Sequence, residues 1–338
     1  MEMDIKVKNW QLRKVKCTDA SVDLSQKEFV AVEKRAFSNR GNRKYTEQVI
    51  LPKGLSVLKA EAFSACTRLK QITLPAGNNV GISGGVFQNC SRLHAVNNSN
   101  VIQSVGARAF LHCDMLQEIE FGSDLRRIGE EAFRGCRSLR RIDLPPSLRE
   151  IGKGAFRDCT ELEFFSAAED LPQLAPELFR DCISLREVAL SSAIQVVPSR
   201  TFEGCSALRE IAIPSNVQTI EARAFADCRR LKKVTMELGV QRIGAKAFLG
   251  TDQLREVIVP HTLKKLGRGA FGLGKRKDGE KITVCVENEY MVRRMKRLLF
   301  WCGSNGCTTV KLVGKSIEER KRERRRSDLN AKGAHLVG

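Results

Sequence analysis

The chain has 338 residues, with 58 Lys and Arg against 39 Asp and Glu, a formal charge of +19 and a pI near 9.7. That balance implies an anionic partner, whether nucleic acid, an acidic protein surface or anionic lipid. The longest unbroken apolar stretch, residues 298–302, is far below the ~18 residues that span a bilayer, and the first sixteen residues interleave charges with apolar residues ahead of no cleavage-type site. No membrane span and no signal peptide are expected, which predicts an intracellular protein, cytoplasmic or nuclear.

Taken in chain order, residues 1–28 share no register with the rest of the chain. Trp10, Leu12, Val15 and Leu24 are expected to cover the next element as an N-terminal cap. From residue 29 to residue 274 the chain repeats. Phenylalanine stands at Phe87, Phe110, Phe133, Phe156, Phe179, Phe202, Phe225, Phe248 and Phe271, each 23 residues from the last, and Phe63 and Phe37 extend the series at spacings of 24 and 26. Cysteine falls three residues after Phe at Cys66, Cys90, Cys113, Cys136, Cys159, Cys182, Cys205 and Cys228, and leucine falls six after it, from Leu69 through Leu139 to Leu254. The ninth position is apolar, as in Ile142 and Ile211, and the eleventh usually is, as in Leu144 and Ile213. Residues eight and five before Phe form a second apolar pair, such as Leu125 with Ile128. Each of about ten or eleven units therefore reads LxxIxxxAFxxCxxLxxIxLP.

In Leu208-x-x-Ile211-x-Ile213 the last two apolar residues alternate, the period of a strand with one buried face. Pro75, Pro145, Pro214 and Pro260 stand at its exit, where a missing N–H does no harm. Between Phe and Leu the apolar columns are three residues apart, which predicts a short helical or 3₁₀ turn. A unit of this size cannot bury its own apolar face, so the units must stack into one continuous core. The fold expected is an α/β-type repeat solenoid with parallel strands, short helical turns and terminal caps.

These columns resemble the BspA-like leucine-rich repeats, whose units carry the same AFxxCxxLxxIxLP core. The resemblance covers approximately residues 29 to 313 and implies a right-handed, curved leucine-rich-repeat array used for recognition of proteins or surfaces. The best-known members are secreted adhesins and surface proteins, a pattern from which the start of this chain departs.

After Phe271 the register is lost. Residues 275–314 read as a strand (282–286), an amphipathic helix (about 289–302) and a last strand (308–313), an ending that looks like the C-terminal cap of such arrays. Met291, Met295, Leu298, Leu299 and Cys302 mark the apolar face of the helix, and Arg293, Arg294, Lys296 and Arg297 the basic one. Residues 315–338 form a charged, flexible or partly helical tail. Arg320, Lys321, Arg322, Arg324, Arg325 and Arg326 are candidates for contact with nucleic-acid phosphates or for nuclear import, and Ser327, behind three arginines, is a candidate phosphorylation site.

Catalytic chemistry finds no foothold. The aligned cysteines read as a buried thiol ladder, since the ~4.8 Å step between parallel strands exceeds the Cβ separation of a disulfide, and so many free thiols favour a reducing compartment. Zinc at Cys285, Cys302 and Cys307 lacks paired knuckles and a nearby histidine. The Gly269–Lys275 run fits G-x₄-G-K, but Arg276 replaces the magnesium-binding hydroxyl and Phe271 belongs to the core column. No cofactor, metal, small-molecule substrate or enzymatic activity is expected.

Binding is expected on the strand. Positions eight and ten after Phe face outward on the presumed concave side, with position seven beside them. Arg140, Arg186, Arg209, Lys232 and Arg255 stand at position seven, and Arg141, Phe164, Glu187, Glu210, Lys233 and Glu256 at position eight. An Arg column thus runs beside a Glu column, which reads either as a self-compensating solvated face or as a footprint for an acidic protein. The leading expectation is a protein-interaction scaffold with an acidic partner, and the alternative is nucleic-acid or ribonucleoprotein association through the basic cap and tail.

Overall fold

The spacing of 23 residues acquires its physical meaning in the stack of phenylalanine rings. From Phe37 to Phe271, eleven rings lie face to face, with successive centroids 4.3 to 5.7 Å apart and ring planes within 25° of one another. Each ring is fully buried and each contact is an offset aromatic pair, so every turn is registered on the one before. The computed structural model describes residues 4–17, 19–167, 171–272, 282–286, 289–301 and 308–312, and over them the chain is a parallel-strand solenoid.

Most turns contribute strands on two sides of the solenoid, and these fall into five hydrogen-bonded sheets among the described residues. The first side holds the strands expected after the regularly spaced leucine: Glu210–Ile213 pairs in parallel with Lys233–Met236, then come Glu256–Ile258, Ile282–Val286 and Thr308–Leu312. The second side is formed by the apolar pair upstream of Phe, which the sequence pattern showed only as columns. Ile102–Val105, Arg127–Ile128 and Glu150–Ile151 pair in parallel register, as do Val196–Val197, Thr219–Ile220, Arg242–Ile243 and Lys265–Leu266. Glycine often stands four residues before Phe because the turns approach closely there. A Cβ at Gly152 would lie 2.3 Å from the backbone nitrogen of Glu130 in the preceding turn.

The short helix expected between Phe and Leu takes the form of chained tight turns. The N–H of Cys136 donates to the Phe133 carbonyl at 3.1 Å, and that of Leu139 to the Cys136 carbonyl at 3.2 Å, which accounts for the three-residue spacing. A left-handed residue two positions after Phe prevents helical continuation: Asn89, His112, Asp158, Asp181 and Asp227 all have positive φ, and Gly135, Gly204 and Gly250 take the same place. A second left-handed column, two positions before Phe, is occupied by charged residues such as Arg108, Glu131, Glu177 and Arg223. Each costs roughly 1–2 kcal/mol relative to glycine. Hydrogen bonds between turns offset this, as when the Glu131 N–H donates to the Lys153 carbonyl at 2.9 Å. Among the described residues the helices are few: α1 (Arg40–Tyr45), one 3₁₀ turn at Ser99–Val101, and α2 (Glu289–Trp301).

At the N-terminal end Asp4–Lys8 and Gln11–Lys16 form an antiparallel hairpin, and Leu12 already pairs in parallel with Val32. Leu12, Val15 and Leu24 are buried. Trp10, expected to cover the first unit, stands instead at the hairpin tip, 62% exposed, because Asn9 and Trp10 both adopt the left-handed conformation that reverses the chain. At the other end Met291, Met295 and Leu299 of α2 are buried against the last turns. Cys302 and residues 315–338 lie outside the described residues. No helix among the described residues is long and apolar enough to cross a membrane.

Candidate functional site

The cysteine column is structural. Each thiol donates to the carbonyl of the phenylalanine in the preceding turn, from Cys90 on Phe63 at 3.1 Å to Cys228 on Phe202 at 3.1 Å. Burial pushes the Cys66 thiol up to about 12 and the Cys90, Cys113, Cys159, Cys182 and Cys205 thiols well above their ordinary value. Thiols held protonated in this way are neither nucleophiles nor metal ligands. Among the described residues no group of three His, Cys, Asp or Glu is placed to hold a metal, and Cys302 and Cys307 lie outside them. Phe271 of the Gly269–Lys275 run is buried in the ring stack, and residues 273–275 fall outside the described part.

Charge is organised differently on the two edges of the solenoid. Along the edge that carries the Phe turns, ion pairs run without a break from Arg108 to Asp227. Glu131 links Arg108 at 2.8 Å to Arg134 at 2.7 Å, and Asp158 joins Arg134 to Arg157. Glu177 gathers Lys153, Arg157 and Arg180 within 3.4 Å. Glu203, its side chain only 9% exposed, binds Arg223 at 2.6 Å and lies within 3.9 Å of Arg180 and Arg200. Asp227 closes the series on Arg223. Burial opposes ionisation of Glu131, but hydrogen bonds from Arg108 and Arg134 outweigh it and hold its carboxyl below the usual range. Burial is outweighed likewise at Glu177 by Lys153, Arg157 and Arg180. At Asp181 burial prevails over Arg180 and raises the pKa.

On the strand edge the expected binding residues fall into two groups. In the earlier turns they are internally paired: Arg140 meets Glu161 at 3.0 Å, and Arg141 meets Asp143 at 2.9 Å. In the later turns Glu210, Lys233 and Glu256 face one another across the sheet in alternating sign, which is favourable. Lys233 and Glu256 are half-buried, and Glu256 is within 3.8 Å of the Cys285 thiol. Phe165 is buried, while Phe164 is half-buried beside Glu187 of the next strand. Arg255 is exposed and donates to the Asp252 carbonyl at 3.2 Å. Position ten is not outward throughout: Ile258 is buried where the Ile282–Val286 strand packs beside it.

Arg186 and Arg209 differ from these. Both are exposed, and together with Arg229 and Arg230 they line a groove of about 520 Å³ whose remaining walls are Ile183, Ser184, Ser206 and Ala207. No ion pair joins any of the four arginines to a carboxylate among the described residues. Arg229 and Arg230 escape a reading of the sequence because they stand at positions four and five after Phe, in a turn and not on the strand. The signal is present in those columns, where Asp114, Glu161 and Asp252 occur but no carboxylate falls between Ile183 and Arg230.

On α2, Arg293, Lys296 and Arg297 are exposed and Arg294 is half-buried. They share the helix with the exposed Tyr290 and Phe300. Arg320, Lys321, Arg322, Arg324, Arg325, Arg326 and Ser327 lie outside the described residues.

Six copies of the BspA type leucine-rich repeat region match residues 30–163 and 150–275. No curated protein matches the sequence. Among solved structures, a leucine-rich repeat protein from Bacteroides ovatus aligns over 93% of this chain and 98% of its own at 18% identity, with a TM-score of 0.34. The leucine-rich repeat protein of T. pallidum aligns over 61% of this chain and 87% of its own at 28% identity and a TM-score of 0.43. One from Eubacterium ventriosum aligns over 76% of this chain and 78% of its own, at 17% identity and a TM-score of 0.48. Leucine-rich repeat proteins are in general non-enzymatic scaffolds, typically for protein–protein interaction. With its phenylalanine, cysteine and leucine columns locked across the stack and the repeat matched over most of its length, the chain belongs to the BspA-type leucine-rich repeat family.

Proposed function

We propose that the chain is a non-enzymatic scaffold that binds an acidic protein partner through its strand edge between Leu185 and Val259. The observation that carries this reading is the contrast in pairing. Arg140 and Arg141 on the earlier strands and the arginines of the Phe-turn ladder are matched to carboxylates within the chain, whereas Arg186, Arg209, Arg229 and Arg230 line one groove, are exposed and form no ion pair among the described residues. The array fixes where these guanidiniums are anchored, and a carboxylate or phosphate on another molecule can engage them without first breaking an internal ion pair. Residence in a reducing, intracellular compartment is part of this reading, since the ten described cysteines are all free thiols. The test is capture from native cell extract by the intact chain, by the chain lacking residues 315–338, and by Arg186→Glu/Arg209→Glu. Capture of acidic proteins that survives the deletion and is lost on charge reversal is expected. Capture indifferent to the reversal overturns the reading.

The exposed Arg293, Lys296 and Arg297 on α2, continuous in sequence with a basic tail, favour a second reading in which nucleic acid binds at this end. Phosphate binding of that kind falls steeply with salt and depends on residues 315–338. A shallow salt dependence unaffected by the deletion rules it out.

A further inference from the structure

The groove lined by Arg186, Arg209, Arg229 and Arg230 lacks carboxylates at the positions where Glu161 and Asp114 supply them in two other turns. Arg140, seven residues after Phe133, is paired with Glu161, five after Phe156 in the next turn. Arg137, four after Phe133, lies 3.9 Å from Asp114, four after Phe110 in the preceding turn. By the same register, Arg186 should meet residue 207, Arg209 residue 230, and Arg229 residue 206. Those residues are Ala207, Arg230 and Ser206. Two internal partners are thus replaced by small neutral side chains and a third by another arginine, which opens the groove and places four positive charges around it.

The basic region is also bounded. Glu163 precedes Arg186 in its column, Asp252 follows Arg229 in its own without forming an ion pair to it, and Glu187 and Glu210 flank the groove along the strands. With a step of ~4.8 Å between turns, the four arginines span only about 10 Å. An extended polyanion such as a nucleic-acid strand would run onto these carboxylates. A single side-chain carboxylate would leave most of the positive charge unanswered. A phosphate monoester carries ≈ −1.5 to −2 at neutral pH and three acceptor oxygens, which matches several guanidiniums converging on one small volume. Ile183, 50% exposed at the groove wall, supplies an apolar contact next to the charge.

We propose that this groove binds a phosphorylated serine or threonine on a protein segment, with an apolar residue of the segment seated against Ile183. The inference rests on the acidic-partner reading and specifies its chemistry: Arg186, Arg209, Arg229 and Arg230 take the phosphate, and the flanking Glu187 and Glu210 select segments without further acids beside it.

The test measures fluorescence anisotropy of the intact chain with three degenerate peptide libraries fixed at one position as phosphoserine, serine or glutamate. The phosphoserine library is expected to bind at least tenfold more tightly than the glutamate library. Its affinity should drop severalfold between pH 7.5 and 5.5 as the phosphate takes up its second proton, near pH 6, while glutamate binding stays level. Ala207→Glu restores the missing partner of Arg186 and should weaken phosphopeptide binding tenfold or more. Arg209→Ala/Arg230→Ala, at exposed positions that leave folding untouched, should do the same, and Arg140→Ala, already paired to Glu161, should change it less than twofold. Equal binding of the phosphoserine and glutamate libraries, both lost in Arg209→Ala/Arg230→Ala, overturns the phosphate inference and leaves the acidic-partner reading standing. A single-stranded oligonucleotide that binds more tightly than the phosphopeptide through the same arginines overturns it in favour of nucleic acid. Phosphopeptide binding indifferent to every arginine variant overturns it outright, and the acidic-partner reading then stands or falls on the capture experiment alone.

Discussion

The two edges of the solenoid carry the same kind of side chain and use it in opposite ways. On the Phe-turn edge, seven basic and six acidic residues from Arg108 to Asp227 join into one ladder, in which Glu131, Glu177 and Glu203 are largely withdrawn from solvent. On the strand edge, between Ile183 and Arg230, the four groove arginines face solvent and form no ion pair among the described residues. On the function proposed above, the difference separates charge that serves the fold from charge held for another molecule. A net charge of +19 says nothing by itself about which is which. The distinction appears only when each basic residue is matched against the turns before and after it.

Phe156→Ala removes a ring stacked on both neighbours and underlies both edges, so it should destabilise the chain by ~3–5 kcal/mol in chemical denaturation. Glu203→Gln strikes the ladder alone. It leaves Arg180, Arg200 and Arg223 without their shared carboxylate and should cost about 1–3 kcal/mol, a figure reduced from the fully buried case because those arginines are partly exposed. A loss under ~0.5 kcal/mol would reduce the ladder to surface ornament.

Acid should act on the same edge. Glu131 and Glu177 have folded-state pKa values below the unfolded glutamate value of 4.5, so their contribution is complete above that value and is lost as pH falls through the lower folded ones. Asp181, raised by burial, works in the other direction, being relieved by protonation, and offsets part of the loss. A thermal melting temperature that is flat from pH 7 to 5 and declines below about 4.5 is expected. Glu203→Gln should leave that decline in place, because it removes neither Glu131 nor Glu177. On the strand edge, Arg209→Ala and Arg230→Ala should each change stability by no more than ~0.5 kcal/mol, whichever sign the relief of like charge takes. The smallest effect is expected for Ala207→Glu, about 0.2–1 kcal/mol of added stability from a new exposed ion pair with Arg186. If Ala207→Glu instead destabilises by several kcal/mol, the alignment of Ala207 with Glu161 is wrong.

A feature is legible in the sequence when it leaves a periodic trace. Phe, Cys and Leu columns must be apolar in nearly every turn, so their positions are readable without coordinates. The second set of strands leaves a pair of apolar columns but no strand signature, because Arg127–Ile128 and Glu150–Ile151 contribute one buried residue each and show no alternation. The left-handed residues after Phe are suggested by Asp, Asn, His and Gly. Those before it are hidden, since Glu131, Glu177 and Arg223 are poor candidates for positive φ on local preference and are held there by bonds to the next turn. Alternation requires one inward member of the Phe164–Phe165 pair, and the structure shows it to be Phe165. The groove is only half visible: Arg186 and Arg209 lie on the strand whose alternation draws attention, while Arg229 and Arg230 lie in a turn whose charge is meaningful only against its counterparts one unit away.

The ring stack carries a consequence for how such a chain can change over generations. Since each phenylalanine needs only the ring on either side, duplicating or deleting one whole unit creates a junction already present elsewhere in the array and asks for no new core. Even the unit length has slack: the step from Phe37 to Phe63 takes 26 residues, and α1 lies within it while the two rings remain 4.3 Å apart. Length is therefore a cheap heritable variable in this molecule. The groove is not, because it needs three particular units side by side, so a unit inserted between Phe179 and Phe225 would leave the fold intact and divide the proposed binding site.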